Sequence, residues 1–263
     1  MTKAAMMMLG IALAPGGGKA APVCEAHSGP NIGALVELYT SEGCSSCPPA
    51  DRWFAKLAAS ANPRDSSLLA FHVDYWDEIG WPDRLAQHAF TVRQSQRVRA
   101  GGSTTIYTPQ VMMSSQLGLR WNQPAQVAAA IAGIQDKPAT LSLRLRARSD
   151  SRRWLVELDA SPLSGAAGTG QLYLALYENA LSSNVKTGEN KGLTLHHERV
   201  VRGLWGPWPV SAKGGATQHL QVTPPPTANV GNLGLTAFVQ DPRTGETSQA
   251  LSLPLEACAS PSP

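Results

Sequence analysis

Apolar residues fall into two textures along this chain, and the change comes near Lys137. Before it, short continuous apolar runs alternate with stretches of helical spacing. Ala34-Leu35-Val36-Glu37-Leu38-Tyr39 is apolar except at Glu37, the pattern of a strand covered on both faces. Pro48 and Pro49 have no N–H to donate, so they suit the first turn of a helix, where the N–H groups lack intrahelical partners. Trp53, Phe54, Leu57 and Ala58 then recur at helical spacing. Asn62-Pro63-Arg64-Asp65 ends that pattern, and Leu68 to Val73 is a second strand. Asp74 to Pro82 is an aromatic loop carrying Tyr75, Trp76 and Trp81. The spacing of Leu85, Ala89, Phe90 and Val92 predicts a helix over 83–99, with Arg93, Arg97 and Arg99 exposed and Gly101-Gly102 as its stop. Pro109 to Met113 is a third strand and Gly118 to Trp121 a short fourth. Asn122 as N-cap and Pro124 in the first turn open a third helix, which runs to about Gln135.

After Asp136-Lys137-Pro138 the pattern becomes strict alternation. Leu141, Leu143 and Leu145 alternate with Ser142, Arg144 and Arg146, and Leu172, Leu174 and Leu176 follow the same rule. Runs at Leu155–Leu158, Leu193–Val201, Gln218–Val222, Leu233–Val239 and Leu251–Leu255 bring the total to six to eight strands. Asp241-Pro242-Arg243-Thr244-Gly245 has the composition of a hairpin turn.

The first half therefore has the order β-α-β-α-β-β-α, which is that of the thioredoxin fold. The predicted fold class is an α/β thioredoxin-like N-terminal domain, residues 22–137, followed by an antiparallel β-sandwich-like C-terminal domain, residues 138–263. Residues 1–21 read as a signal peptide: Lys3, a short apolar run with Met6, Met7, Met8, Leu9, Ile11 and Leu13, then small residues up to Ala21. The alternative is a ragged tail or a misplaced start. The apolar run is too short to span a bilayer. On this reading the mature protein is periplasmic or secreted and has no integral membrane segment.

Composition adds little beyond exclusions. Of 263 residues, 43% are hydrophobic, enough for a real core. Net charge is +3; without Lys3 and Lys19 it is 20 basic against 19 acidic residues, or +1. With no basic stripe interleaved with aromatics, nucleic acid is not an implied partner.

The four cysteines carry the chemistry. Cys44-Ser45-Ser46-Cys47 leaves the end of the first strand and enters the proline-started helix. A cysteine there sits among unpaired N–H groups that favour its thiolate. This makes Cys44 the candidate nucleophile and Cys47 the resolving thiol. Cys24 and Cys258, near the two ends of the mature chain, form the candidate structural disulfide in an oxidising compartment, with two unpaired thiols as the alternative. Thr108-Pro109 opens the third strand, where thioredoxin-like proteins place a cis-proline whose preceding backbone pairs with substrate. An ordinary trans proline at a strand start is the competing reading. A working site requires Cys44 partly exposed and Pro109 cis and packed against the pair. Glu37, seven residues before Cys44, is the candidate buried acid for the resolving thiol; an ion-paired carboxylate explains it equally well. Trp76, with Tyr75 and Trp81, lines a peptide groove or roofs a core. Asp74 follows the second strand at the cysteine end of the sheet, as a site residue or a turn cap. His72 could join the cysteines in a copper or zinc site, although a lone strand histidine is usually a packed one. His196 and His197, adjacent on a strand, point to opposite faces and do not chelate one ion together.

Three segments together support a resemblance: Glu37 to Asp51, Phe71 to Asp77, and Tyr107 to Gln110. With Gly188-Glu189-Asn190 and His197 to Arg202, they closely resemble an uncharacterised family of secreted bacterial thioredoxin-like proteins with a β-rich C-terminal domain. The resemblance covers nearly all of the mature chain. It implies the fold and export stated above and no settled activity. Met112-Met113-Ser114-Ser115 departs from the Asn-Gly turn that relatives tend to carry.

The expected function is thiol–disulfide exchange with protein or small-molecule thiols, with no cofactor and no resident metal. The alternatives are a non-enzymatic cell-envelope binding module with a structural Cys44–Cys47 bond, and a copper or zinc chaperone.

Overall fold

The computed structural model describes residues 22–163 and 168–258. The expected signal peptide, residues 1–21, lies outside them. The first half contributes strands β1 (Val23–His27), β2 (Ala34–Thr40), β3 (Ser66–His72), β4 (Gln110–Met113) and β5 (Gln116–Leu117), with helices α1 (Cys47–Ser60), α2 (His88–Ala100) and α3 (Pro124–Gln135). The second half contributes β6 (Leu141–Asp150), β7 (Arg153–Pro162), β8 (Gly170–Glu178), β9 (Leu181–Asn184), β10 (Thr194–His197), β11 (Val200–Val210), β12 (Ala216–Val222), β13 (Leu233–Gln240) and β14 (Thr247–Pro254).

These strands do not separate into the two predicted domains. One mixed eight-stranded sheet runs β14-β13-β8-β11-β3-β2-β4-β5 through both halves of the chain. Parallel β2 and β3 meet β4 antiparallel on one side, and β3 meets β11 in parallel on the other, where Val200 lies opposite Ala70. Conversely, the antiparallel sheet β1-β6-β7-β12 takes its first strand from the first half. The expected α/β thioredoxin-like domain plus separate β-sandwich is therefore corrected to a predominantly β architecture. Two solved structures compared below share this architecture. Strand β3 has a second edge that local patterning cannot assign, and a strand from the far half fills it.

The eight-stranded sheet is covered on both faces, which accounts for the unbroken apolar run of β2. On one face, α1 and α3 pack over Val36, Leu38, Leu68 and Ala70. Further along that face, the four-stranded sheet packs over Leu174, Leu176, Leu235 and Ala237, with Trp154 and Leu158 between the layers. On the opposite face, Phe90 and Val98 of α2 pack on Tyr39, Phe71, Tyr177 and Phe238. The alternating leucines of β6 and β8 point into the sandwiched layer, as period-two patterning requires.

Local differences have physical causes. Helix α2 begins at His88 rather than residue 83, because Asp83 turns inward and accepts hydrogen bonds from Leu85 N and Glu42 N. Arg93 and Arg97 are buried, not exposed, because Glu37 lies beneath them. The short fourth strand sits at 116–117, and the N-cap of α3 is Gln123, with no side-chain cap bond. Cys24 and Cys258 are disulfide-bonded with Cα atoms 5.5 Å apart, tying β1 to the chain's last described turn.

Candidate functional site

Strand β2 ends at Thr40, and the chain turns through Ser41-Glu42-Gly43 into the cysteine pair. The turn is fixed by its own backbone: Cys44 N donates to Ser41 O and Cys47 N donates to Cys44 O. Cys47 then opens α1, whose first turn holds the two prolines. Cys44 and Cys47 form a disulfide, Cα atoms 5.4 Å apart. Ser45 and Ser46 between them are exposed. The sulfur of a disulfide carries no hydrogen, so the Ser46 hydroxyl is the donor in its 3.3 Å contact with Cys44 Sγ. The same hydroxyl lies 3.5 Å from Thr108 O. The Thr108–Pro109 peptide is cis, and Thr108 O faces the cysteine turn.

Cys44 is fully buried, against the requirement for partial exposure. Two neighbours account for this. Trp76 closes over Gly43, where an added Cβ would come within 3.2 Å of Trp76 Cβ. The connection between β9 and β10 covers the other side. Its Asn190 is buried and donates from Nδ2 to both Glu42 O and Cys44 O, at 2.9 and 3.0 Å. Its Glu189 accepts from Ser45 N at 3.0 Å. Thr187 Oγ1 donates to Gly80 O, and Gly188 takes φ +73° where a Cβ would approach Trp81 Cβ to 3.1 Å. Trp76 is half-buried against the α2-side core, so it roofs a core rather than lining an open groove.

Below the pair, on the α1 face, lies a buried cluster that strand and helix patterning did not single out. Asp51 stands one helical turn after Cys47 and accepts from Thr40 Oγ1 at 2.9 Å. His72, at the end of β3, contacts Asp83 through Nδ1 at 2.6 Å. His197 of β10 packs edge-on against His72, ring centroids 4.8 Å apart. It approaches Glu42 to 3.4 Å and Asp51 to 3.9 Å. Trp81 Nε1 donates to Glu42 Oε2 at 2.8 Å. Glu42 Oε1, His72 Nε2 and His197 Nε2 are buried without a hydrogen-bond partner. Among the described residues no three His, Cys, Asp or Glu side chains are arranged to hold a metal ion.

This cluster moves its members in different directions. Burial raises the pKa of Asp51, and the nearby His197 and His72 only partly offset it. Burial would lower that of His72, but the Asp83 charge outweighs it and the value rises. Burial opposes ionisation of Asp83 too; His72 overcomes this and brings it down to about 2. Glu42 is likewise held low against burial, first by His197.

Glu37 is not among these groups. It faces α2, on the sheet face opposite α1, where Arg93 Nε and Arg97 Nε donate to it at 3.0 and 2.8 Å. Burial works to raise its pKa, and the two arginines hold it below the ordinary carboxylate value. Glu37 therefore meets the ion-pair reading, and the buried acids on the cysteine side are Asp51, Glu42 and Asp83. Asp74 accepts from Thr91 Oγ1 and contacts His88 at 3.0 Å, fixing the start of α2. His196 points outward and His197 inward, as adjacent strand residues must. Asp51 could have been found by counting four residues from Cys47. His197 and Asn190 lie in segments that carry the family resemblance, but their place at the site was not legible, because nothing local pairs β10 with α1.

A family model described as "Protein of unknown function (DUF1223)" matches residues 35–240. No curated protein matches. Protein AGR_C_4864 from Agrobacterium tumefaciens is similar in structure, with TM-score 0.61 and 23% identity over 85% of this chain and 94% of that one. HBP35 of Porphyromonas gingivalis is similar with TM-score 0.66 and 14% identity, over 90% of this chain and 79% of that one. At these identities the likeness is one of fold. No described helix is long and apolar enough to cross a membrane.

Proposed function

The chain belongs to the DUF1223 family, and from that premise we propose that it is an exported thiol–disulfide oxidoreductase working through Cys44 and Cys47. The observation that carries the reading is the setting of the disulfide. It opens a helix, it is bridged by two exposed serines, and one helical turn on begins a buried cluster in which the pKa values of Asp51, His72 and Asp83 are displaced. The Cys24–Cys258 bond, by contrast, joins positions 234 residues apart.

In the reduced protein the Cys44 thiolate attacks one sulfur of a substrate disulfide. That S–S bond breaks, one substrate thiolate leaves, and a mixed disulfide forms. Cys47 gives its proton to the buried carboxylate of Asp51 and attacks Cys44 Sγ. The second substrate thiolate leaves, and both leaving thiolates take up protons. Two electrons pass from the dithiol to the substrate. Run backwards, the same steps oxidise a substrate dithiol.

Equilibration with glutathione tests this. A Cys44–Cys47 potential above about −300 mV, with a mixed disulfide trapped on Cys44 in Cys47→Ser, is the expected result. A lower potential with nothing trapped overturns it. That outcome would support the competing reading, a binding module with a permanent staple, which the full burial of both cysteines favours.

A further inference from the structure

The β9–β10 connection does more than cover the cysteine turn. It brings a carboxylate to the backbone N–H between the two cysteines, and it does so from a part of the chain 144 residues away. A cysteine just before a helix gains acidity from nearby N–H donors, which stabilise its thiolate, and Cys44 stands three residues before Cys47 opens α1. Here the Ser45 N–H is taken by Glu189 Oε2 at 3.0 Å, and the acceptor bears a full negative charge. Glu189 is itself exposed, and the Ser45 hydrogen bonds hold its pKa below the ordinary value, so it is ionised at neutral pH. The buried Asn190 beside it fixes the connection to the carbonyls of Glu42 and Cys44.

We propose that Glu189 is a positioning residue that sets the acidity of Cys44, and through it the potential of the Cys44–Cys47 pair. The inference rests on the exchange reaction proposed above. The sign follows from charge. A carboxylate held at the backbone N–H next to Cys44 disfavours a negative charge on that cysteine and occupies a donor adjacent to it. The reduced form is then less stable, so the disulfide is harder to reduce. Glu189 tunes the pair toward donating electrons, and the natural partner is an oxidised one, a disulfide-bearing substrate.

The other ionisable groups around the turn are Glu42, Asp51, His72, Asp83 and His197 below it, Asp74 and Asp77 on the loop carrying Trp76, and Lys186 and Lys191 on the β9–β10 connection. None is altered by Glu189→Gln, which keeps an acceptor for Ser45 N and removes only the charge. Titration of the Cys44 thiolate in the reduced full chain, by alkylation rate against pH, is the direct readout. Glu189→Gln is expected to lower the Cys44 pKa by about 0.5–1 and to raise the glutathione exchange constant in the oxidising direction by about threefold to tenfold. Glu189→Asp should return both toward the wild type. An unchanged Cys44 pKa in Glu189→Gln overturns the proposal, whatever the potential of the wild-type pair. A wild-type pair that the glutathione couple cannot reduce instead sinks the exchange reaction itself. The alkylation readout on chemically reduced protein keeps those two failures apart.

Discussion

Two buried ionic clusters hang on the same strands, β2 and β3, and they are built on opposite rules. Toward α2, Glu37 is gripped by Arg93 and Arg97, and Arg93 also stacks on Phe71, Tyr173 and Phe238. Neither arginine changes protonation in any ordinary range, and the carboxylate is held ionised. Toward α1, beginning one turn after Cys47, the partners are histidines and carboxylates, with the pKa values of Asp51 and His72 raised and that of Asp83 lowered, and His72 Nε2 is buried without a hydrogen-bond partner. The first arrangement locks a helix onto a sheet. The second, on the exchange reaction proposed above, supplies a proton acceptor one helical turn from Cys47. Burial of charge alone therefore does not mark a functional site; the kind of partner does.

The comparison breaks most visibly at Glu37. Glu37→Gln leaves two buried guanidinium groups without their counter-charge and should cost about 3–5 kcal/mol in urea unfolding. It should leave the Cys44–Cys47 potential where it was. A changed potential at unchanged stability would mean that the wrong cluster has been assigned to structure.

Asp83 comes next. Asp83→Asn should cost about 2–3 kcal/mol, because His72, Glu42 N and Leu85 N lose a charged acceptor. It should also remove a pH dependence. The raised pKa of His72 means that its charged form stabilises fully below 6.5, and that this contribution is lost as pH rises through the raised value. Asp83 has its pKa lowered, so its contribution is present above 3.8 and lost as pH falls toward about 2. Asp51, raised, contributes fully below 3.8 through its neutral form, and that contribution is lost as pH rises through the raised value. Unfolding midpoints of the wild type should therefore be highest between these two limits, and the alkaline decline should flatten in Asp83→Asn.

The smallest effect on stability belongs to Asp51→Asn, which keeps the Thr40 hydrogen bond and should shift unfolding by less than about 1 kcal/mol. Its effect should be kinetic: with Cys47 intact, resolution of the mixed disulfide slowed by about a hundredfold near neutral pH. An equal rate would sharpen the contrast differently, moving the proton store from Asp51 to Glu42 or His197.

Much of this was legible in the sequence, and the limits were physical. The continuous run of β2, the proline-started α1 and the alternating leucines of β6 and β8 each obey a period that local residues carry. The edge of β3 obeys none, so the union of the two halves into one sheet was invisible. The same blindness explains the site. Cys44, Cys47 and Thr108 could be placed because they sit at element ends. Local pattern around Glu37 fits a proton acceptor and an ion pair equally, and the arginines that decide between them lie on α2, over fifty residues on. Asn190, Glu189 and His197 come from a hairpin whose contact with α1 depends on that unseen edge.

The Cys24–Cys258 bond gives the described chain the connectivity of a ring. A machine that pulls on the two ends draws against this covalent closure, and neither sheet bears the load. A single cut in any surface loop leaves both fragments joined. Against tension or a peptidase, that closure preserves the thread even when the weave is opened.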